Sequence, residues 1–306
     1  MSTVLWKAAS FLFIMALGVL LRKAHIFGEE DYKILVKIVL NITLPAAIIA
    51  NFATIRIDTS MLVIIAFGFF CNVFMLGLGW LLTRKAQNSS KALYMLNLSG
   101  YNIGAFVIPY AQSFFGPLGV VTACMFDAGN SIMCTGVAYA STCAAVGNNG
   151  QRIGVKDIVL KLLTSMPFMS YTIMLIFTFT GLQLPQIAFD FIAPIAQANT
   201  FAAMLMIGLM FRIDVKGGAT KKAVSIVALR MLFATGFACF VYFCLPFSLE
   251  VRQALSIVAF APISVASTPF AVRCGADSGL AGFTNSLSIA ASVIALTGIM
   301  IGFGCA

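Results

Sequence analysis

Residues 99–117, SGYNIGAFVIPYAQSFFGP, lie inside a hydrophobic stretch long enough to cross a membrane, yet they include Asn102, Gly104, Pro109 and Gly116. No water is present in a bilayer core to satisfy freed backbone groups. Pro109 has no N–H, and its ring clashes with the carbonyl four residues earlier, so a break or kink is expected there. Such a break survives only where protein or a cavity covers it. Residues 262–275, PISVASTPFAVRCG, repeat the pattern, with Pro269 following small and polar residues. A pair of interrupted apolar segments at corresponding places in two halves of a chain points to a transport site.

Composition makes the setting a membrane. The 306 residues are 61% hydrophobic and 9% charged, with a mean hydropathy of +1.01; soluble domains carry about 25% charged residues. The net charge of +9 is spread over short loops, without a basic stripe interleaved with aromatics, so nucleic acid is not an expected partner. The eight cysteines form no CxxC pair and are expected to pack in the core. With His25 the only histidine, no His-based metal site or catalytic triad is expected, and no Walker motif supplies ATPase chemistry. The N-terminal run is not read as a cleavable signal. An enzyme and a bound cofactor are therefore not expected.

Ten stretches reach the roughly 20 residues a spanning helix needs: 4–21, 34–54, 60–82, 92–115, 118–145, 158–181, 187–211, 223–245, 253–273 and 279–303. Loops after odd-numbered spans carry 14 lysines and arginines, against 3 (Lys7, Arg56 and Arg252) on the opposite side. By the positive-inside rule the odd loops face the cytoplasm and both termini face out. The expected fold is an all-α polytopic membrane protein of two oppositely oriented five-helix halves, residues 1–145 and 158–306, joined by a cytoplasmic linker at 146–157. When Pro109 is set against Pro269, IPYAQSFFG faces TPFAVRCG with one gap. This is the weak, regular similarity of an inverted repeat whose fourth and ninth helices are broken and cross.

Polar residues within these spans are the candidate site. Asn102 is read as a substrate ligand at the break; the competing reading is an amide that caps freed backbone. Ser264, Ser267 and Thr268 hold the matching place on the ninth span, where back-bonding to helix carbonyls is the ordinary alternative. Asp127, followed by Asn130, lies about ten residues into the fifth span. A carboxylate at that depth is a functional candidate, for a coupling proton, a cation or a structural pair. Asn285, with Thr284, Ser286 and Ser288, forms the acid-free counterpart in the tenth span. Arg230 lies eight residues beyond Lys222, about 12 Å along a helix. It is read as counter-charge to an anionic substrate or as a partner of Asp127. Asn41 with Pro45, and Pro194 with Gln197 and Asn199, are further polar kinks in the second and seventh spans.

LNITLPAAIIANFA in the second span, NIGAFVIP in the fourth, and the proline-broken ninth span followed by SLSIAASVIAL resemble the auxin efflux carrier family of secondary transporters. The resemblance covers essentially the whole chain. It implies a five-plus-five inverted repeat with substrate where helices 4 and 9 cross, a scaffold of the first, second, sixth and seventh spans, and a mobile remainder. Asn102 then matches the fourth-span asparagine, and Pro109 and Pro269 match the crossover prolines. Ser264, Val265 and Ala266 are less polar than the residues some relatives carry there. The missing long central loop makes the chain similar to compact bacterial members, which are associated with malate, malonate and similar carboxylates. The expected function is thus secondary active transport of a small organic anion or weak acid across the bacterial cytoplasmic membrane, coupled to a proton or sodium ion or running as a uniporter, with a homodimer as a possible assembly. A channel or a membrane sensor is the alternative from another class. No polar ring for a pore and no soluble signalling domain support it.

Overall fold

The structure is a computed structural model and describes residues 2–52, 55, 58–147, 154–211 and 220–303. Among the described residues 84% are helical and none is in a strand. In chain order the helices are α1 (Ser2–Lys23), α2 (Tyr32–Ile38), α3 (Leu44–Phe52), α4 (Val63–Thr83), α5 (Asn88–Leu98), α6 (Ile108–Phe114), α7 (Gly116–Ile132), α8 (Ala138–Val146), α9 (Val155–Leu163), α10 (Met166–Thr180), α11 (Gln186–Met210), α12 (Thr220–Cys244), α13 (Leu249–Ala259), α14 (Ser267–Arg273) and α15 (Ser278–Gly302). Wider π-turns at Val39–Thr43, Ile103–Val107 and Met133–Val137 join α2 to α3, lead into α6, and join α7 to α8.

Among the described residues seven helices are long and apolar enough to cross a membrane, or eight if the bent pair α9 and α10 is one span. The expected sixth span is therefore not one straight helix: α9 turns by 73° from α10. The fourth and ninth stretches contain no single helix of spanning length, because both are interrupted near their middle. Half of the expected linker, residues 148–153, lies outside the described residues. So do Cys305 and four of the charges used for orientation, Arg56, Arg152, Arg212 and Lys216.

The breaks fall earlier than the prolines that announced them. Helix α5 ends at Leu98, and Gly100 follows with φ +78°. That left-handed conformation suits glycine, and a Cβ there would also press on Ser267 Oγ at 2.9 Å. Pro109 sits inside the continuous helix Ile103–Phe114. The preceding π-turn explains why: Ile108 N–H bonds to the Ile103 carbonyl, five residues back. The wider turn gives room to a ring that would clash in α-helical register. The same device precedes Pro45, where Leu44 N–H reaches the Val39 carbonyl. In the ninth stretch, α13 stops at Ala259, three residues before Pro262, and Pro269 lies inside α14. A residue before proline is biased away from helical geometry, so Pro262 is the breaker and Pro269 an early-turn residue.

The helices form two packing groups. In one, α1 and α3 lie on α11, and α10 lies on α3. In the other, α4 packs on α5 and α7, α12 on α13 and α15, and α13 on α7. The groups meet where α3 and α10 touch α7 and where α1 touches α15. Helices approach most closely at glycines, as small residues permit in membranes. A Cβ at Gly208 would collide with the Met15 carbonyl of α1, and one at Gly68 or Gly129 with backbone across the α4–α7 contact. Gly236 has nothing within 4 Å. Overpacking costs about 1–3 kcal/mol even where side chains can yield, and here the obstacle is backbone. Gly208→Val is expected to lower the melting temperature sharply or abolish folded protein. Gly236→Val should leave it near wild type, as read by thermal unfolding in detergent.

Candidate functional site

The two interruptions meet. Tyr101 and Ile263 form an isolated antiparallel bridge, in which Asn102 N–H donates to the Pro262 carbonyl at 2.9 Å and Ser264 N–H to the Gly100 carbonyl at 3.3 Å. Each unwound stretch thus supplies part of the hydrogen bonding that the other lost on leaving the helix.

Side chains supply the rest. Asn72 of α4 and Asn130 of α7 are almost fully buried. Asn72 Oδ1 accepts from Gly100 N–H at 2.6 Å, and its Nδ2 donates to Asn130 Oδ1 at 3.1 Å. Asn130 holds both backbone groups of Tyr101: its Oδ1 accepts from the N–H at 3.0 Å, and its Nδ2 donates to the carbonyl at 2.8 Å. On the other strand Ser288 Oγ accepts from Ile263 N–H at 3.1 Å. An unsatisfied group in lipid costs several kcal/mol, so these residues are structural requirements of the break.

Arg230 is 3% exposed. Its Nη1 donates to the carbonyls of Asn97 and Leu98 at 3.1 and 2.6 Å, and its Nη2 to those of Ala261 and Pro262 at 3.0 and 3.4 Å. Its guanidinium carbon stands 4.6 Å from the centroid of the Tyr101 ring. The fork therefore joins the C-terminal ends of α5 and α13, where unpaired carbonyls and the negative end of the helix dipole favour a cation. The expected pairing with Asp127 does not occur. Asp127 Oδ1 instead accepts from Asn130 Nδ2 at 2.8 Å, and its Oδ2 from the Tyr171 hydroxyl of α10 at 2.6 Å.

A cavity of about 320 Å³ opens beside the crossing, between the two helix groups. Asn41, Asn102, Asp127, Asn130 and Ser264 are in its wall. Asn41 Nδ2 is spent on the Lys37 carbonyl at 2.9 Å. Asn102 caps the helix Ile103–Phe114 by position only, since its side chain makes no capping bond. A second cavity of about 670 Å³ is lined by Lys33, Lys37, Thr268, Pro269 and Asn285, and shares Val36 and Val265 with the first. Thr268 Oγ1 and Asn285 Oδ1 are buried there without a hydrogen-bond partner. The sequence candidates thus divide. Asn41, Asn102, Asp127 and Asn130 converge at the crossing, and Thr268, Pro269 and Asn285 line the adjoining space. Pro109, Ser267 and Arg230 are in the wall of neither cavity.

The sequence reading passed over Asn72 and Tyr171. Asn72 was open to detection as the lone amide in FFCNVFML; Tyr171 in SYTIML carries no such signal, because tyrosine is ordinary in an apolar helix. Among the described residues, no group of three or more His, Cys, Asp or Glu is placed to hold a metal ion.

Residues 3–150, the half that carries Asn72, Asn102, Asp127 and Asn130, match the family model described as membrane transport protein. That family is of the auxin efflux carrier type, and the match covers just under half of the chain. The family is one of transporters rather than of enzymes, and the match together with the apolar helices makes the protein an integral membrane protein. No curated protein gives a match.

Removing the guanidinium would take the donor from the carbonyls of Asn97, Leu98 and Ala261, while that of Pro262 would keep Asn102 N–H. A hydrogen bond to a charged group contributes about 1.5–3 kcal/mol, so Arg230→Met is expected to destabilise by on the order of 3 kcal/mol or more. A large drop in thermal unfolding temperature without ligand checks this; an unchanged temperature would contradict the bracing role.

Proposed function

We propose that the protein is a secondary active transporter of a small organic anion, a malate- or malonate-like carboxylate or another weak acid, working by alternating access around the crossing of its fourth and ninth segments. The observation that carries this reading is the cavity at the crossing, into which Asn102 presents a side chain with no capping bond of its own.

Electrostatics favours an anion. Arg230 takes up the carbonyls at the ends of α5 and α13, so the negative helix ends are neutralised away from the cavity. The cavity wall includes Ile103, Gly104 and Ala105, at the start of the helix Ile103–Phe114. A helix start carries free N–H groups and a partial positive charge. Asn102 adds an amide that can donate to a carboxylate. Asp127 is an acid in the same wall and would repel an anion while ionised. That gives it the role of coupling residue: a proton or a sodium ion neutralises it as substrate enters. Asn130, bonded to it, holds the carboxylate in place. Asn41 completes the wall, and Thr268, Pro269 and Asn285 line the approach.

The neighbour relations support ten spans as a five-plus-five inverted repeat. Contacts of α1 with α11 and of α10 with α3 correspond, as do those of α4 with α5 and of α12 with α13, and those of α4 with α7 and of α12 with α15. In this reading residues 1–145 and 158–306 are the repeats. The group of α1, α2, α3, α10 and α11 is the scaffold, and the other group moves. The loop charges set both termini outside the bacterial cytoplasmic membrane. The second cavity, lined by Glu30, Lys33 and Ser278 at the basic loops, is then the cytoplasmic approach, and a homodimer would form through the scaffold.

Purified protein in proteoliposomes preloaded with malate or malonate should show saturable counterflow; ohmic single-channel currents would replace this reading with a pore. Asn102→Ala is expected to weaken carboxylate binding at least about tenfold, the scale of a lost hydrogen bond to a charged group, with unchanged yield and folding. Unchanged uptake would remove Asn102 from the site. For Asp127→Asn, transport should lose its response to pH or to sodium. Retention of the wild-type response would exclude Asp127 as the coupling residue.

A further inference from the structure

We infer that Tyr171 and Asp127 form a latch between the two helix groups, released when a cation neutralises the carboxylate. This rests on the transport reading, which makes Asp127 the coupling residue, and adds what that residue does mechanically.

The contact crosses the boundary along which the groups would slide. Tyr171 belongs to α10, which packs on α3, and Asp127 to α7, which packs on α4 and α13. The hydroxyl and Oδ2 are 2.6 Å apart, and both side chains are buried. That separation lies in the range of a hydroxyl donating to an ionised carboxylate, about 2.5–2.7 Å, a bond roughly twice as strong as a neutral one. Oδ1 is held by Asn130, which also fixes the unwound backbone at Tyr101. One carboxylate therefore ties the break, the cavity wall and the opposite group together.

Among the described residues no cation pairs with it. The titratable groups that face Asp127 are Tyr171 from α10 and Cys124 and Cys134 from its own helix and the π-turn beyond. Arg230 is taken up by backbone carbonyls and by the Tyr101 ring, and α3 carries no titratable residue. A proton or a metal cation arriving through the cavity would meet Oδ2 already occupied by the phenol. Neutralising the carboxylate removes the charge-assisted acceptor, frees Tyr171, and lifts the repulsion against an anion in the same step. Slide and substrate admission are then permitted together. A second tie, from Lys7 Nζ of α1 to the Ser113 carbonyl at 2.6 Å, also crosses the boundary but contains no group that a cation would neutralise.

The test uses the full chain in lipid nanodiscs without substrate. Spin labels sit at the exposed positions Ile176 of α10 and Leu232 of α12, with the exposed Cys239 and Cys244 replaced by serine, and inter-label distances are read by pulsed electron resonance. Tyr171→Phe and Asp127→Asn should each shift the ratio of distance populations in the same sense, by about tenfold for the loss of one charge-assisted bond. The double variant should go no further than either single one. In the otherwise unchanged protein, either lowering pH without sodium or adding sodium at fixed pH should reproduce the shift, and the arm that does so identifies the cation. A wild-type distribution in Tyr171→Phe, fully additive effects in the double variant, or no response to either cation would overturn the latch. Should Tyr171→Phe not fold, the comparison of Asp127→Asn with the cation arms decides alone. Because distances are read without substrate, absence of malate counterflow would end the carrier reading and leave this result standing on its own.

Discussion

Between Ser99 and Asn102, and again between Phe260 and Ala266, the chain leaves the helix in the middle of apolar segments. Water is absent there, so every freed N–H and carbonyl must find a protein partner. Most of the polar inventory of the core answers that demand. The two stretches pair with each other through the Tyr101–Ile263 bridge. Asn72 and Asn130 take the groups around Gly100 and Tyr101, Ser288 takes Ile263, and Arg230 gathers carbonyls from both sides. Nearly all of these side chains come from α4, α7, α12 and α15, which surround the crossing within one helix group. The crossing is therefore rigidly part of that group, while the cavity beside it lies against the other.

That division turns a structural necessity into a polarised site. With the carbonyl ends bound by Arg230, what remains toward the cavity is the start of the helix Ile103–Phe114, the amide of Asn102 and the carboxylate of Asp127. A positive helix end and an acid thus share one wall. The acid also reaches across to Tyr171, so its charge state bears on how the groups are held. The adjoining space is lined by Lys33 and Lys37 and by Glu30, which pairs with Lys33, and it meets the first cavity at Val36 and Val265.

Much of this was legible in the sequence, and the misreadings have physical reasons. Membrane character, the all-helical fold and the interruption of the fourth and ninth segments follow from hydropathy and from polar residues inside apolar runs. The prolines marked the right segments and the wrong residues. Pro109 is absorbed by a π-turn, which one-dimensional pattern does not reveal, whereas Gly100 and Pro262 do the breaking. Asp127 and Asn102 were recognisable because an acid or an amide at that depth needs a reason. Arg230 was recognisable as unusual, but charge alone suggested an ionic partner. Its four carbonyl acceptors come from the ends of two helices distant in sequence, and such partners are invisible before folding. Tyr171 was hidden because a phenol is unremarkable in a membrane helix until its neighbour is known.

The claim on which the rest depends is that the two unwound stretches lie against each other in the folded chain. Tyr101 and Ile263 are the non-hydrogen-bonded pair of their bridge, since the bonds run from Asn102 to Pro262 and from Ser264 to Gly100. Such pairs bring Cα atoms to about 4.5 Å, within the span of a disulfide. Cysteines placed at positions 101 and 263 in an otherwise cysteine-free chain should cross-link within one molecule under mild oxidation, in membranes, with near-complete yield. The native Cys143 and Cys274, whose sulfurs lie 3.3 Å apart, serve as a positive control when restored alone. Efficient cross-linking of the control with none between 101 and 263 would contradict the crossing and the site built on it.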